Sequence, residues 1–301
     1  MKRIICIFFI GILTTTFLYG QKTHIKKYNR IISLSMAGDE MLFDLVEKDR
    51  ILAFCGYSNK NEMASVLYDK LDRFKKVDNV EKIIDMEPDL VIAANWLKKD
   101  ILSQLEDAGI NVYIYSTSST YEEQKNLIME LAELVEEKEK GNEIVRNMDE
   151  RLAVVQKKIK ESGKISPRVL EYSHYEGTNG KGSIFDDMLQ KIYVINTARE
   201  EGIGRFAKIS KEKVIEIDPD VIIVPIWDST AAKDGSKFLE FLSKDKSYKD
   251  LKAVKNGRIY PIPGKYVYIY SQYVIDGIEE LANSIYQLDK RNSFFKRRGY
   301  V

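Results

Sequence analysis

Short apolar runs alternate with stretches of helical periodicity along this chain. Arg30–Leu34 reads as a strand. Gly38 to Val46 reads as a helix whose apolar positions are Met41, Leu42, Leu45 and Val46. A second strand is predicted at Ile51–Phe54, followed by a polar loop over Gly56–Met63. A helix over Lys98–Ala108 stops at Gly109, and Asn111–Tyr115 is a further strand. Tyr121 to Ser162 is helical in composition, with a break expected near Gly141–Asn142. Its second part carries Ile144, Val145, Met148, Leu152, Val155 and Ile159 at helical spacing. After Pro167 the alternation resumes. It predicts a strand at Arg168–Glu171, a Gly-rich polar loop over His174–Gly182 and a helix at Ile184–Leu189. A helical stretch with Phe238, Leu239, Phe241 and Leu242 comes next, then a strand at Arg258–Ile262 and a closing helix over Gln272–Leu288.

One phrase occurs twice. Residues 81–93 read EKIIDMEPDLVIA and residues 212–224 read EKVIEIDPDVIIV; six of the thirteen positions are identical and the others exchange like for like. Each copy predicts a short helix, an acid-Pro-Asp turn and a strand. Proline ends the helix because it has no N–H and disfavours helix at the residue before it. The following runs, Leu90-Val91-Ile92 and Val221-Ile222-Ile223-Val224, are apolar without polar alternation, which suits parallel strands covered on both faces. A repeat at this separation implies two similar α/β lobes rather than a solenoid. The helical stretch between them, about 20 residues at about 1.5 Å each, is long enough to join two lobes as a stiff spine.

Composition changes this picture little, except at the ends. The 301 residues are 44% hydrophobic and 31% charged with a net charge of +1, which suits a soluble protein and implies no nucleic-acid partner. Lys2 and Arg3 precede an apolar run from Ile4 to Leu18 that closes at Gly20. This is the form of a cleaved export signal. Its removal takes two basic residues and no acid, turning the formal charge to −1, and takes Cys6. Cys55 is then the one cysteine left, so no internal disulfide is expected. No cysteine follows the apolar run, so a lipid anchor is not expected, and the expected compartment is the periplasm. The tail from Arg291 is basic.

These residues carry a resemblance. The opening RIISLSMAGDEMLFDLVEKDRILAF, the phrase NVEKIIDMEPDLVI, its counterpart ISKEKVIEIDPDVII and the late LKAVKNGRIYPIP follow one another as they do in a known family. That family comprises the periplasmic binding proteins that capture ferric siderophores, haem and cobalamin for ABC importers. The resemblance spans nearly the whole chain after the export signal. It implies an α/β fold of two Rossmann-like lobes with parallel sheets, joined by a single long backbone helix, with ligand in the cleft between them. The expected division is an export signal over 1–20, a first lobe over 21–141, a spine over 142–164, a second lobe over 165–290 and a tail over 291–301. It further implies that Glu81 and Glu212, one per lobe, match the paired glutamates that dock onto arginines of an inner-membrane permease dimer. Two carboxylates on separate lobes offer bidentate partners for arginine and fix the binder's register over the pore.

Loops at strand ends line such a cleft. They offer Tyr57, Asn59 and Trp96 from lobe one, and His174, Tyr175, Arg205, Phe206, Trp227, Tyr266, Tyr268 and Tyr270 from lobe two. Aromatic walls with nearby cations suit a partly aromatic, anionic chelate, so a ferric siderophore is the first expectation. Haem is the second, with His174 or Tyr266 as an axial ligand, and cobalamin the third. No resident cofactor and no direct metal site are expected: His24 and His174 are the two histidines, too few for a multi-histidine zinc centre. An enzyme is the reading of another class, a two-lobed catalyst acting on a chelate. Cys55 alone cannot hold a four-cysteine cluster, and the chain has no G-x-S-x-G, P-loop or H-E-x-x-H sequence. A monomer is expected.

Overall fold

The computed structural model describes residues 27–288 apart from 59, 72, 228–237, 239 and 243. The expected export signal over 1–20, His24, Asn59, Leu239 and the tail from Arg291 lie outside the described residues.

The first half of the chain builds β1 (Ile31–Ser33), α1 (Met36–Leu45), β2 (Ile51–Cys55), β3 (Lys76–Val77), α2 (Val80–Asp85), β4 (Leu90–Ala94), α3 (Lys99–Asp107) and β5 (Val112–Tyr115). The five strands form one sheet in the order β3-β2-β1-β4-β5, and every pair is parallel. Two helices follow, α4 (Tyr121–Leu134) and α5 (Lys138–Glu161). The second half adds β6 (Arg168–Glu171), β7 (Gly177–Thr178), α6 (Ile184–Lys191), β8 (Ile195–Asn196), α7 (Thr197–Glu200), β9 (Ala207–Lys208), α8 (Lys211–Ile217) and β10 (Val221–Ile226). It closes with α9 (Lys252–Lys255), β11 (Ile259–Pro263), α10 (Gly264–Val267) and α11 (Val274–Tyr286). Its main sheet, β11-β10-β6-β8, is also parallel, and β7 pairs antiparallel with β9. β4 and β10 are buried at every residue, as their unbroken apolar runs require.

The repeated phrase folds the same way twice. Asn79 caps α2 by accepting from the Lys82 amide, and Ser210 caps α8 by accepting from the Lys213 amide. Glu87 and Asp218, the residues before the prolines, both take positive φ, +46° and +43°. The helices therefore end in a left-handed residue, and the proline follows the stop. Asp89 accepts from the amides of Asn29 and Arg30, and Asp220 accepts from the amide of Arg168. Each aspartate so ties its turn to the first strand of its own sheet.

The spine is α5. Its 24 residues rise about 36 Å. Met148, Leu152, Val155 and Ile159 form its buried stripe. The break in the helical stretch is not at Gly141, which lies inside α5. The chain turns at Glu136, whose φ is +58°. Buried Arg50 caps this turn, donating to the Val135 carbonyl at 2.7 Å and to Glu137 Oε1 at 2.5 Å. Gly141 serves another purpose: a Cβ there would stand 2.5 Å from Ala132 Cβ, so its bare backbone lets α4 and α5 close on each other. A single hydrophobic cluster runs from Ile31 and Phe54 through α4 and α5 to Val169, Phe185 and Ile278. The two sheets thus share one core along the spine. Arg151 of α5 adds ion pairs to Asp276 and Glu279 of α11, both at 2.6 Å.

Candidate functional site

The candidate residues stand where parallel strands release the chain at their carboxyl ends. Tyr57 follows β2 and Trp96 follows β4. His174 and Tyr175 follow β6, Trp227 follows β10, and Tyr266 and Tyr268 follow β11. Aromatic side chains rarely remain this open: Tyr57 is 66% exposed, Trp96 65%, Tyr175 78%, Phe206 67% and Trp227 42%. Tyr266, Tyr268 and Tyr270 are half-buried against the main core. His174 meets Tyr175 and Phe238 edge to face, at 5.4 and 5.5 Å between ring centroids. Cations accompany the rings. Lys60 Nζ lies 4.8 Å from the Tyr57 centroid and Lys265 Nζ lies 5.6 Å from that of Tyr266. Arg205 is exposed; burial pushes the Tyr270 hydroxyl up to about 12, and the Arg205 charge opposes that rise only in part.

The segment after β2 bridges the two halves. Its ends are held by the adjacent acids of α1. Asp39 accepts from Ser58 Oγ at 2.5 Å and from Cys55 Sγ at 3.0 Å, and Glu40 accepts from Ser65 Oγ at 2.8 Å. Its middle is held by the second lobe: Asn61 Nδ2 donates to the Trp227 carbonyl, and the Lys265 amide donates to the Met63 carbonyl at 2.8 Å. Glu40 also crosses between lobes. Ser271 Oγ donates to its second oxygen at 2.6 Å, and Gln272 Nε2 donates to its carbonyl at 2.6 Å. Tyr57 is thereby brought onto the same strap that touches Trp227 and the 264–265 turn. Among the described residues no such tie reaches Trp96 or His174.

Several organising residues escape a reading of the sequence. Asp39, Glu40 and Glu171 are buried acids, and desolvation pushes each carboxyl up to about 7 against the hydroxyl and amide donors that oppose it. Glu171 takes the Tyr268 hydroxyl and Asn179 Nδ2, and Tyr268 stacks on Trp227 with centroids 5.1 Å apart. The one available signal was position. Glu171 ends an apolar strand, and Glu40 adjoins the Met41–Leu42 pair of an apolar helical face. Cys55 is buried with its thiol pushed up by desolvation and by Asp39, so it is an inert packing residue.

Among the described residues no group of three or more His, Cys, Asp or Glu could hold a metal ion. A groove of about 380 Å³ lies elsewhere, between α5 and the Gln272–Tyr273 turn. It carries mixed charges, including Lys140, Glu143 and Arg146, and none of the exposed aromatic candidates. The cleft side, by contrast, offers ring faces and cations, the elements of ligand recognition.

Comparison with known proteins agrees with this geometry. The chain is 26% identical over 274 residues to an uncharacterised ABC transporter substrate-binding lipoprotein of Bacillus subtilis, YvrC, covering 87% of this chain and 81% of that one. It is 27% identical over 194 residues to the iron-uptake system-binding protein of the same organism, covering 62% of this chain and 58% of that protein. A solved structure, described as a possible iron-binding periplasmic solute-binding protein of Staphylococcus epidermidis, superposes with a TM-score of 0.73. It is 24% identical and covers 87% of this chain and 100% of that chain. These proteins are binders of solutes for import, not enzymes, and they work by holding a ligand without a resident cofactor. Residues 31–266 match the periplasmic binding protein family model, and the chain belongs to that family, as the substrate-binding component of an ABC importer.

Proposed function

We propose that this protein captures a ferric siderophore between its lobes, outside the inner membrane, and delivers it to a permease dimer through Glu81 and Glu212. In this reading residues 1–20 are a cleaved export signal and the working compartment is the periplasm. The observation that carries the ligand class is the pairing of an open aromatic face with a cation on a strand-end loop, Tyr57 with Lys60, together with the exposed Arg205 and Phe206 on the segment before β9. Such surfaces hold an aromatic organic shell and offset its negative charge. A relative named for iron uptake supports the same class.

Haem is the second reading. It is favoured by the exposed imidazole of His174 beside Tyr175, and by a fold neighbour named as a haem binder. A relative named for vitamin B12 keeps cobalamin as an outcome of the same test.

That test is a tryptophan-fluorescence titration of the protein against ferric catecholate, hydroxamate and citrate complexes, haem and cobalamin. Trp96 and Trp227 are its two tryptophans, and both are exposed at the candidate site. Saturable quenching by one ferric chelate supports the proposal. Saturation by haem or cobalamin alone replaces the ligand and keeps the transport role.

A further inference from the structure

The aromatic wall of the second lobe is held from behind by one buried acid. Glu171 is the last residue of β6 and is fully buried. Its two oxygens take different donors. Oε1 accepts from the Tyr268 hydroxyl, and Oε2 accepts from Asn179 Nδ2 at 2.8 Å. Each donor in turn controls an exposed ring. Tyr268 stacks on Trp227 with ring planes 19° apart. Asn179, itself buried, turns its Oδ1 to the Phe206 amide, which donates at 2.9 Å. Phe206 needs that hold, because its φ of +52° is a left-handed conformation that bulky residues rarely adopt. The turn before Phe206 is pinned alongside: Gly180 and Lys181 donate to the carbonyls of Gly204 and Ile203 at 3.0 and 2.8 Å.

We infer that Glu171 is the positioning residue of the ligand wall: through Asn179 it sets Phe206, and through Tyr268 it sets Trp227. The inference rests on the cleft reading above and adds the part that fixes the distance between its two ring faces. It also explains why an acid occupies this site. A carboxylate accepts from both donors at once, whereas an amide accepts on one side and presents N–H groups to the other. Glu171→Gln therefore keeps the volume but weakens one arm: its Oε1 can still accept from Asn179, while its Nε2 must donate to the Tyr268 hydroxyl, whose own proton then loses its acceptor. Asn179→Ala releases the Phe206 arm and, with it, the longer 3.3 Å contact from Asn179 Nδ2 to the Tyr268 hydroxyl, whereas Tyr268→Phe releases the Trp227 arm while keeping the stacked ring.

The experiment has a part without ligand and a part with it. Crystal structures of the ligand-free N179A, Y268F and E171Q proteins come first. Phe206 is expected to leave the left-handed region in N179A, Trp227 to shift in Y268F, and one of the two to move in E171Q. Unmoved rings in all three overturn the inference whatever the protein binds. Titrations with haem, ferric citrate and a ferric tris-catecholate then compare N179A, F206A and the double variant. Each single change is expected to weaken binding roughly five- to tenfold, and the double change no further, because Asn179 acts through Phe206. Additive losses overturn the inference and leave Asn179 a purely structural residue. If the wild type binds none of the three probes while the rings move as expected, the iron-chelate reading fails and the positioning role stands.

Discussion

Ser271 of the second lobe donates to the Glu40 carboxylate of the first at 2.6 Å, in the buried interior behind the cleft. Desolvation lifts the Glu40 pKa to about 7, although the Ser271 and Ser65 hydroxyls pull it down. A carboxyl raised in this way keeps its proton in the folded state where the unfolded chain has lost it. The native protein then binds more protons between about pH 4.5 and 7, so stability falls as pH rises through that window and levels off above it. Asp39 and Glu171, also raised to about 7, act in the same direction. Glu40→Gln removes one titration. Urea unfolding at pH 4.5, 6 and 7.5 should show its decline shallower than that of the wild type by roughly 3 kcal/mol across the window. Parallel curves would show that Glu40 does not titrate there.

Gly264 is where the Trp227 ring rests. A Cβ at that position would come within 2.6 Å of Trp227 Cε3 and Cζ3, closer than carbon atoms approach without displacement. Gly264→Ala should therefore push the indole off Tyr268. The stacked pair contributes about 0.5–1.5 kcal/mol beyond its buried area, so the effect on folding is small. The effect on Trp227 is direct: near-ultraviolet circular dichroism should lose intensity in the tryptophan region, and affinity for the bound chelate should drop severalfold. An unchanged spectrum would mean that the ring moves aside without leaving its partner.

Much of the fold was legible because its strongest signals are local. Apolar runs such as Val221–Val224 suit a parallel strand covered on both faces, and the doubled acid-Pro-Asp phrase implies two lobes. The reading failed where a residue's role depends on a distant partner. Gly141 looks like a helix breaker by propensity, yet it is kept for the approach of Ala132, which belongs to another helix. The true break, at Glu136, is stabilised by Arg50, which comes from the far side of the lobe. The site was legible in part. Exposed aromatics follow from strand ends, but the acids that organise them do not. Glu40 finds Ser271 at a separation of 231 residues, and its place beside Met41–Leu42 hints at burial but not at that partner.

The helix crossing at Gly141 sets two effects against each other. Alanine would gain about 1 kcal/mol of helix propensity. Its methyl group would meet Ala132 Cβ at 2.5 Å, and Met129 Sδ stands only 3.3 Å away. Overpacking of this kind costs about 1–3 kcal/mol, and the backbones of α4 and α5 would have to separate to relieve it. Gly141→Ala should thus lower the unfolding free energy by about 1 kcal/mol in urea melts, against the trend of alanine substitutions in helices. A gain in stability would show that the two helices part freely.

Glu81 and Glu212 occupy the same place in the two copies of the repeat, the second residue of a capped helix, and both are exposed. Each helix is anchored to its sheet through the next turn, where Asp89 and Asp220 accept backbone amides. The two helices pack into separate apolar clusters, α2 through Ile83 and α8 through Val214 and Ile217, on sheets whose other faces meet the core along the spine. Changing both to alanine removes two exposed surface charges and should leave the melting temperature nearly unchanged. Chelate affinity, measured by fluorescence, should remain within about twofold, because neither side chain belongs to the strand-end loops that carry the aromatic faces. Under the proposed docking, in which each carboxylate pairs with a permease arginine, uptake into vesicles that carry the cognate permease should fall by at least tenfold, with each single variant intermediate. Normal uptake by the double variant would remove Glu81 and Glu212 from the docking surface. A loss of affinity would instead place their helices in the path of lobe closure.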